Sequence, residues 1–238
     1  MRPGYLGRSA ARFLPEVADN LALLVRRRLV AAPPPADHVQ LQSATLLEMT
    51  VQPSPQGYVT FEDFLAKERE SDTRHEWLDG VVYAMAGGTI EHGRLATNWT
   101  AALRMKLAGQ CTAYSSDVML YVRETNLATY PDGSVVCGPT DAQQVIRNGK
   151  VIGEAITNPT IVLEVLSDST ESYDRGEKFA HYIRLPSLTE YVLVSQDTRR
   201  IEVFRRPKGR GHWQRESVGA GESVTLHGAT LSVDELYA

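Results

Sequence analysis

From residue 58 onward, apolar positions alternate between a spacing of two and a spacing near 3.6, and each change of period marks a new element. Ile161, Val162, Leu163, Val165 and Leu166 leave no polar face, which is the pattern of a strand covered on both sides. Only Glu164 interrupts it. Upstream, Thr60 stands three residues before Asp63, and Phe61, Phe64 and Leu65 share one face, so a capped helix is predicted to about Glu68. Glu76-Trp77-Leu78 and Val81 to Met85 flank Asp79-Gly80, a hairpin with a type I′ turn, and Gly87-Gly88 ends its second strand. Leu95, Trp99, Ala102, Leu103 and Leu107 predict a long amphipathic helix over 91–108 that packs across the sheet.

Val118, Leu120 and Val122 alternate, so 112–122 reads as one strand with Asp117 near its middle. Another strand enters at Asp132 and continues through 134–137. Asn148-Gly149, between 144–147 and 150–152, signals an exposed hairpin. A helix over 172–184, with Phe179, Tyr182 and Ile183 on its buried side, follows the central strand. Strands at 190–194, 201–204, 213–218 and 223–226 and a turn at 233–237 make a β-rich end. There is no internal repeat.

Residues 1–57 have scattered Arg, a Pro33-Pro34-Pro35 break and little periodicity after Val30, so a poorly structured extension is expected before a domain at 58–238. A short basic helix over 18–29 could touch a membrane surface or a partner, but a loosely held extension is the stronger reading. Met49, just before the domain, is expected as the natural start; an intact mass beginning at Met1 would contradict this.

Composition narrows the classes. With 42% hydrophobic and 23% charged residues, the 238-residue chain is neither disordered nor fibrous. A net charge of −4 counts against tight nonspecific binding to nucleic acid, although arginines cluster at 26–28 and at 199–210. Cys111 and Cys137 lack zinc-site spacing and disulfide-scaffold density, and read as reduced thiols in a cytoplasmic core. No apolar run approaches the roughly 20 residues of a membrane helix. Gly-x-Ser-x-Gly, Walker and Gly-x-Gly-x-x-Gly patterns are absent, and aromatics do not interleave with basic residues as in a stacking platform.

The chemistry gathers around two acids. Asp132 and Glu164 are 164 − 132 = 32 residues apart, each at the edge of an apolar run. A carboxylate there must find a partner, take a proton or bind a cation. Two carboxylates from neighbouring strands would seat a hard divalent metal. Strand-end acids satisfied by arginines are the plainer alternative.

Pro131-Asp132, then Glu164, then Lys178 is an order that resembles the PD-(D/E)XK nuclease superfamily. From about Tyr58 to the C-terminus, the chain resembles the Uma family of restriction-endonuclease-like proteins. The likeness rests on His75 to Gly80, Tyr83 to Gly88, Glu91-His92, Tyr130-Pro131-Asp132, Asn158-Pro159, Glu164 to Thr170, Asp174 to Phe179 and Glu190 to Val194, in that order. It implies an α/β fold, a restriction-endonuclease-like mixed sheet flanked by helices, and Mg²⁺-dependent cleavage of nucleic acid, most naturally DNA, with Mn²⁺ as a substitute. Asp132, Glu164 and the Val165 carbonyl would hold the metal, and Lys178 would orient water or offset phosphate charge. A protein that keeps the fold to bind nucleic acid or serve a structural role without catalysis is the alternative. A homodimer is left open.

The resemblance breaks where Leu166 occupies the lysine position of Glu-x-Lys, so it places the lysine on the following helix as Lys178. An i,i+4 pair with Asp174 is the competing account of Lys178. Glu76 is either a further acid facing the metal or a cross-strand partner of an arginine. His92 either meets phosphate or water, or caps a helix. Asp79 is better explained by its turn, Ser167 and Thr170 fit phosphate donation and helix capping equally, and Tyr182 reads as core.

Overall fold

The computed structural model describes residues 57–209 and 211–238, and the expectations made for residues 1–56 lie outside the described residues. The chain begins with α1 (Phe61–Glu68), the hairpin β1 (His75–Leu78) and β2 (Val81–Ala84), and α2 (Ile90–Lys106). Then come β3 (Cys111–Ser115), β4 (Leu120–Val122), β5 (Leu127–Thr129), β6 (Gly133–Cys137), β7 (Ala142–Arg147), β8 (Lys150–Ile156) and β9 (Ile161–Leu166). Two short helices follow, α3 (Glu171–Arg175) and α4 (Glu177–Tyr182). β10 (Glu190–Ser195), β11 (Arg200–Arg205), β12 (Gln214–Gly219), β13 (Ser223–Leu226), β14 (Ala229–Ser232) and α5 (Val233–Leu236) end the chain.

The expected α/β architecture and β-rich end are present, with the strands divided between sheets. One six-stranded sheet has the order β12-β11-β10-β9-β6-β3, the other β2-β1-β5-β4-β8-β7, and β13 pairs with β14 alone. Within the first sheet β9 and β10 run parallel while the other pairs are antiparallel. A parallel pair cannot be joined by a tight turn, so the chain crosses over the sheet face between β9 and β10, and α3 and α4 form that crossover.

β9 is buried along its whole length because both of its faces are covered. Ile161, Leu163 and Val165 pack with Leu95, Trp99 and Leu103 of α2 and with Val224, Leu226 and Leu231 of the C-terminal hairpin. Val162 and Leu166 pack on the other face with Tyr182, Tyr191 and Leu193 and with Leu120 and Leu127 of the second sheet. Glu164 shares the side of Val162 and Leu166, by the two-residue period of a strand. A third cluster, with Phe64, Leu65 and Trp77, seats α1 against the second sheet.

Three expectations are corrected. The strand foreseen over 112–122 is two, β3 and β4, in different sheets. A turn parts them: the Ser115 hydroxyl accepts from Asp117 N–H at 3.4 Å, and the Asp117 carboxylate turns outward to Arg74. The helix foreseen over 172–184 is interrupted at Gly176, whose φ of −112° and ψ of −93° fit no helix. Cys111 and Cys137, expected as reduced thiols, are joined in a disulfide, because antiparallel pairing of β3 and β6 sets them directly opposite each other. The Asp79-Gly80 and Asn148-Gly149 turns have the positive φ values predicted, 44° and 90°, then 50° and 72°.

Candidate active site

Pro131 explains why the ladder between β6 and β9 stops short of the end of β9. β6 and β9 pair only from Gly133↔Leu163 to Val135↔Ile161. The next antiparallel positions would set Asp132 opposite Glu164 and Pro131 opposite Val165, but proline has no N–H for the ladder. The Asp132 side chain takes over, its Oδ2 accepting the Val165 N–H at 2.7 Å. Glu164 Oε2 accepts the Asp132 N–H at 3.4 Å. Glu164 is therefore held to the Asp132 backbone and Asp132 to the Val165 backbone, and Asp132 Oδ1 takes no hydrogen bond from the described residues.

Lys178 lies in the same place. It is buried on α4, and its Nζ is 2.8 Å from Glu164 Oε1 and 3.3 Å from Asp174 Oδ1. The i,i+4 account of Lys178 is thus true without displacing the other. Tyr182, one turn further along α4, donates its hydroxyl to Glu164 Oε1 at 2.8 Å, so its aromatic body is core as expected while its tip serves the carboxylate. Tyr191 fixes the crossover itself, donating to the Asp174 carbonyl at 2.9 Å. Glu171 and Glu202 hold the neighbouring Arg175 at 2.6 and 2.8 Å.

His92 approaches from the opposite side. Its Nε2 stands 3.1 Å from Asp132 Oδ2. Thr89, the N-cap of α2, accepts the His92 N–H at 3.1 Å and donates its hydroxyl to Gln196 Oε1 at 2.6 Å; Gln196 Nε2 in turn donates to the Leu166 carbonyl at 2.6 Å. The start of α2 is in this way tied to the ends of β9 and β10. Gly88 is part of the arrangement, since a Cβ there would come within 2.7 Å of His92 Nδ1.

Glu76, buried on β1, accepts a short hydrogen bond from the Tyr173 hydroxyl, so its partner is a tyrosine and not the arginine considered from sequence. Asp79 sits in its turn. The Ser167 and Thr170 hydroxyls are 3.0 Å apart just beyond β9, and Thr170 makes no side-chain cap to α3. Tyr173, Gln196 and Gly88 had no signal of these contacts in the pattern. Thr89 alone was findable, as a cap residue just ahead of a predicted helix.

Electrostatics set the character of the place. Burial pushes the Glu164 carboxyl up to about 8, against the nearby Lys178 ammonium, which pulls it down. Lys178 is itself discouraged from charge by burial, yet Glu164, Asp174 and Glu76 together outweigh that and hold its ammonium above the ordinary lysine range. Burial likewise raises Asp174 despite Lys178. His92 is raised chiefly by its hydrogen bond to Asp132, with burial opposing and Asp174 and the Val165 backbone assisting. Three carboxyls, Glu164, Asp174 and Glu76, thus face one buried ammonium, and Asp132 lies beside them against Glu164. That surplus of oxygen donors and negative charge suits a hard divalent cation. A surface depression of about 340 Å³ lies elsewhere, beside Thr60, Phe61, Gln143 and Val145.

Comparison with known proteins identifies the family and the fold. A family described as "Putative restriction endonuclease", Uma2, matches residues 61–234. The uncharacterised protein slr1290 of Synechocystis is 34% identical over 187 residues, covering 77% of this chain and 90% of its own. A second Synechocystis protein, sll1609, is 28% identical over 167 residues, covering 70% and 91%. A crystal structure titled as that of "a putative nuclease belonging to DUF820" from Anabaena variabilis superposes with a TM-score of 0.58 at 17% identity, over 75% of this chain and 97% of that one, which shows the shared fold.

Proposed function

This chain belongs to the Uma2 family, described as "Putative restriction endonuclease", and on that premise we propose that it is a metal-dependent endonuclease that hydrolyses phosphodiester bonds in DNA. The observation that carries the reading is the meeting of Asp132, Glu164 and Lys178 from two strands and a crossover helix. Asp132, Glu164 and the Val165 carbonyl would hold Mg²⁺ or Mn²⁺. A cation of this kind, when bound, lowers the pKa of water and neutralises charge on a phosphate oxygen.

The chain's own residues do the remainder. Lys178, kept cationic by three carboxyls, places a fixed positive charge beside Glu164 that offsets charge developing on the phosphate and orients the attacking water. Tyr182 fixes which Glu164 oxygen Lys178 shares, leaving Oε2 to face Asp132. His92, anchored by Asp132, carries a proton at Nε2 within reach of a phosphate oxygen or the leaving group. Glu76, held by Tyr173, adds negative charge to the seat. Among the described residues no helix is long and apolar enough to cross a membrane, and we place the protein's action in the cytoplasm.

Cleavage of duplex DNA with and without Mg²⁺ tests the reading, using the natural chain, Asp132→Ala and Lys178→Ala. Metal-dependent cleavage lost in both variants is expected. Equal background cleavage by all three would leave a noncatalytic binding protein built on the nuclease fold.

A further inference from the structure

A second cluster of ligand atoms lies at the other end of β6. Cys111 pairs with Cys137 at one end of the β3–β6 ladder, while Ser115 pairs with Gly133, next to Asp132, at the other. The two cysteines form a non-hydrogen-bonded pair, since Cys111 N–H goes to the Leu107 carbonyl at 3.0 Å and Cys137 N–H to Thr160 Oγ1 at 3.0 Å. Pairs of this kind bring their side chains closest, and here the Cα atoms are 4.1 Å apart.

His227 reaches the same spot from the β13–β14 turn. It sits in the left-handed region at φ 45°, followed by Gly228 at 86°, and its N–H is fixed by Glu190 Oε2 at 2.9 Å. Among the described residues its imidazole has no hydrogen-bond partner. One ligand atom from each of Cys111, Cys137 and His227 lies within 4.8 Å of the other two, the sole group of this kind among the described residues. Two thiolates and an imidazole form a set selective for zinc-class ions, and three protein ligands leave one tetrahedral position for water.

We propose that Cys111, Cys137 and His227 are a zinc-class metal site, and that disulfide and metal are alternative states of the same residues. A dithiol delivers two electrons and two protons to the Cys111–Cys137 bond and leaves as its own disulfide. Zn²⁺ then replaces the two thiol protons, which pass to water. The metal state is the one suited to a compartment that keeps thiols reduced. It ties the C-terminal hairpin to β3 and β6 at one edge of the sheet that holds β9, a link that the disulfide does not make.

Cobalt, a spectroscopic stand-in for zinc, provides the test. The full chain is reduced with a dithiol, freed of it without oxygen, and titrated with Co²⁺. The expected result is a thiolate-to-cobalt charge-transfer band that saturates at one equivalent, is bleached by Zn²⁺ and is absent from the oxidised chain. His227→Asn keeps a side chain that tolerates the left-handed turn. It should weaken cobalt binding by at least the roughly tenfold that losing a mere outer hydrogen-bond partner costs a metal site. No band in the reduced chain, equal affinity in His227→Asn, or loss of the far-ultraviolet circular dichroism on reduction would each overturn the proposal. Because the readout is absorbance, failure here leaves the nuclease reading untouched.

Discussion

Glu164 concentrates the tension of the site in one side chain, because it is fully buried, shares its ammonium with Asp174, and faces Asp132. Its carboxyl is raised from 4.5 to about 8, so it favours the folded state while protonated. That contribution is complete below about pH 4.5 and is lost as pH rises through about 8. In the absence of divalent cations, urea midpoints should therefore fall between pH 5 and pH 8. Mn²⁺ should restore the value at pH 8, and Glu164→Gln should remove the part of the pH dependence that Mn²⁺ corrects. A Glu164→Gln protein with the same response as the natural chain would contradict the assignment. Lys178 offers a second test. Lys178→Met leaves buried acids without their cation and should cost about 3–5 kcal/mol at neutral pH, with cleavage lost. Repeating the urea titration at pH 9, where the natural chain's Glu164 has given up its proton, should give a larger loss.

At the scale of elements, β9 and the crossover helices divide one task. Glu164 and Leu166 point to the same side of β9, toward α4, and Leu166 packs in the cluster that contains Tyr182. The place of a strand lysine is thus filled by an apolar side chain under the helix, and the ammonium arrives from that helix instead. Lys178→Met with Leu166→Lys should recover part of the cleavage that Lys178→Met alone loses; activity no higher than in the single variant would refute this exchange. The start of α2 is testable too. Thr89→Ala removes its cap and should cost about 1 kcal/mol, while Gly88→Ala should displace His92 and lower cleavage with little change in melting. β9 was legible because burial on both faces leaves a continuous apolar run. The break between β3 and β4 was not, because Val118, Leu120 and Val122 keep alternating across a turn that the Ser115 hydroxyl and Arg74 define. Gly176 was visible in the sequence, but its interruption of the helix depends on how α3 and α4 pack against β9.

For the whole molecule, charge is the informative quantity. Three arginines of the 199–210 cluster are engaged within the fold: Arg205 with Glu190 and Glu216, Arg206 with the carbonyls of Ile183, Leu185 and Leu188 and over the Trp213 ring, and Arg199 with Asp234. With a net charge of −4 and these cations occupied, few should neutralise phosphates. Duplex affinity, measured by anisotropy across a salt series, should then depend on salt with a log–log slope shallower than about −4. A steep slope would point to a basic face outside the described residues. Sequence carried the family, and it named three residues that the fold brings together, Asp132, Glu164 and Lys178, because those sit in short, ordered segments. It did not carry the division into two sheets, Tyr173 as the partner of Glu76, or the meeting of His227 with the cysteines, each of which depends on contacts between segments distant along the chain. The parallel pairing of β9 with β10 has one more effect. Because the obligatory detour over the sheet also delivers Asp174, Lys178 and Tyr182, topology and chemistry share a single stretch of backbone. An insertion or deletion in that stretch would consequently displace the ammonium even with every residue type kept, whereas replacing the lysine alone would leave the detour intact.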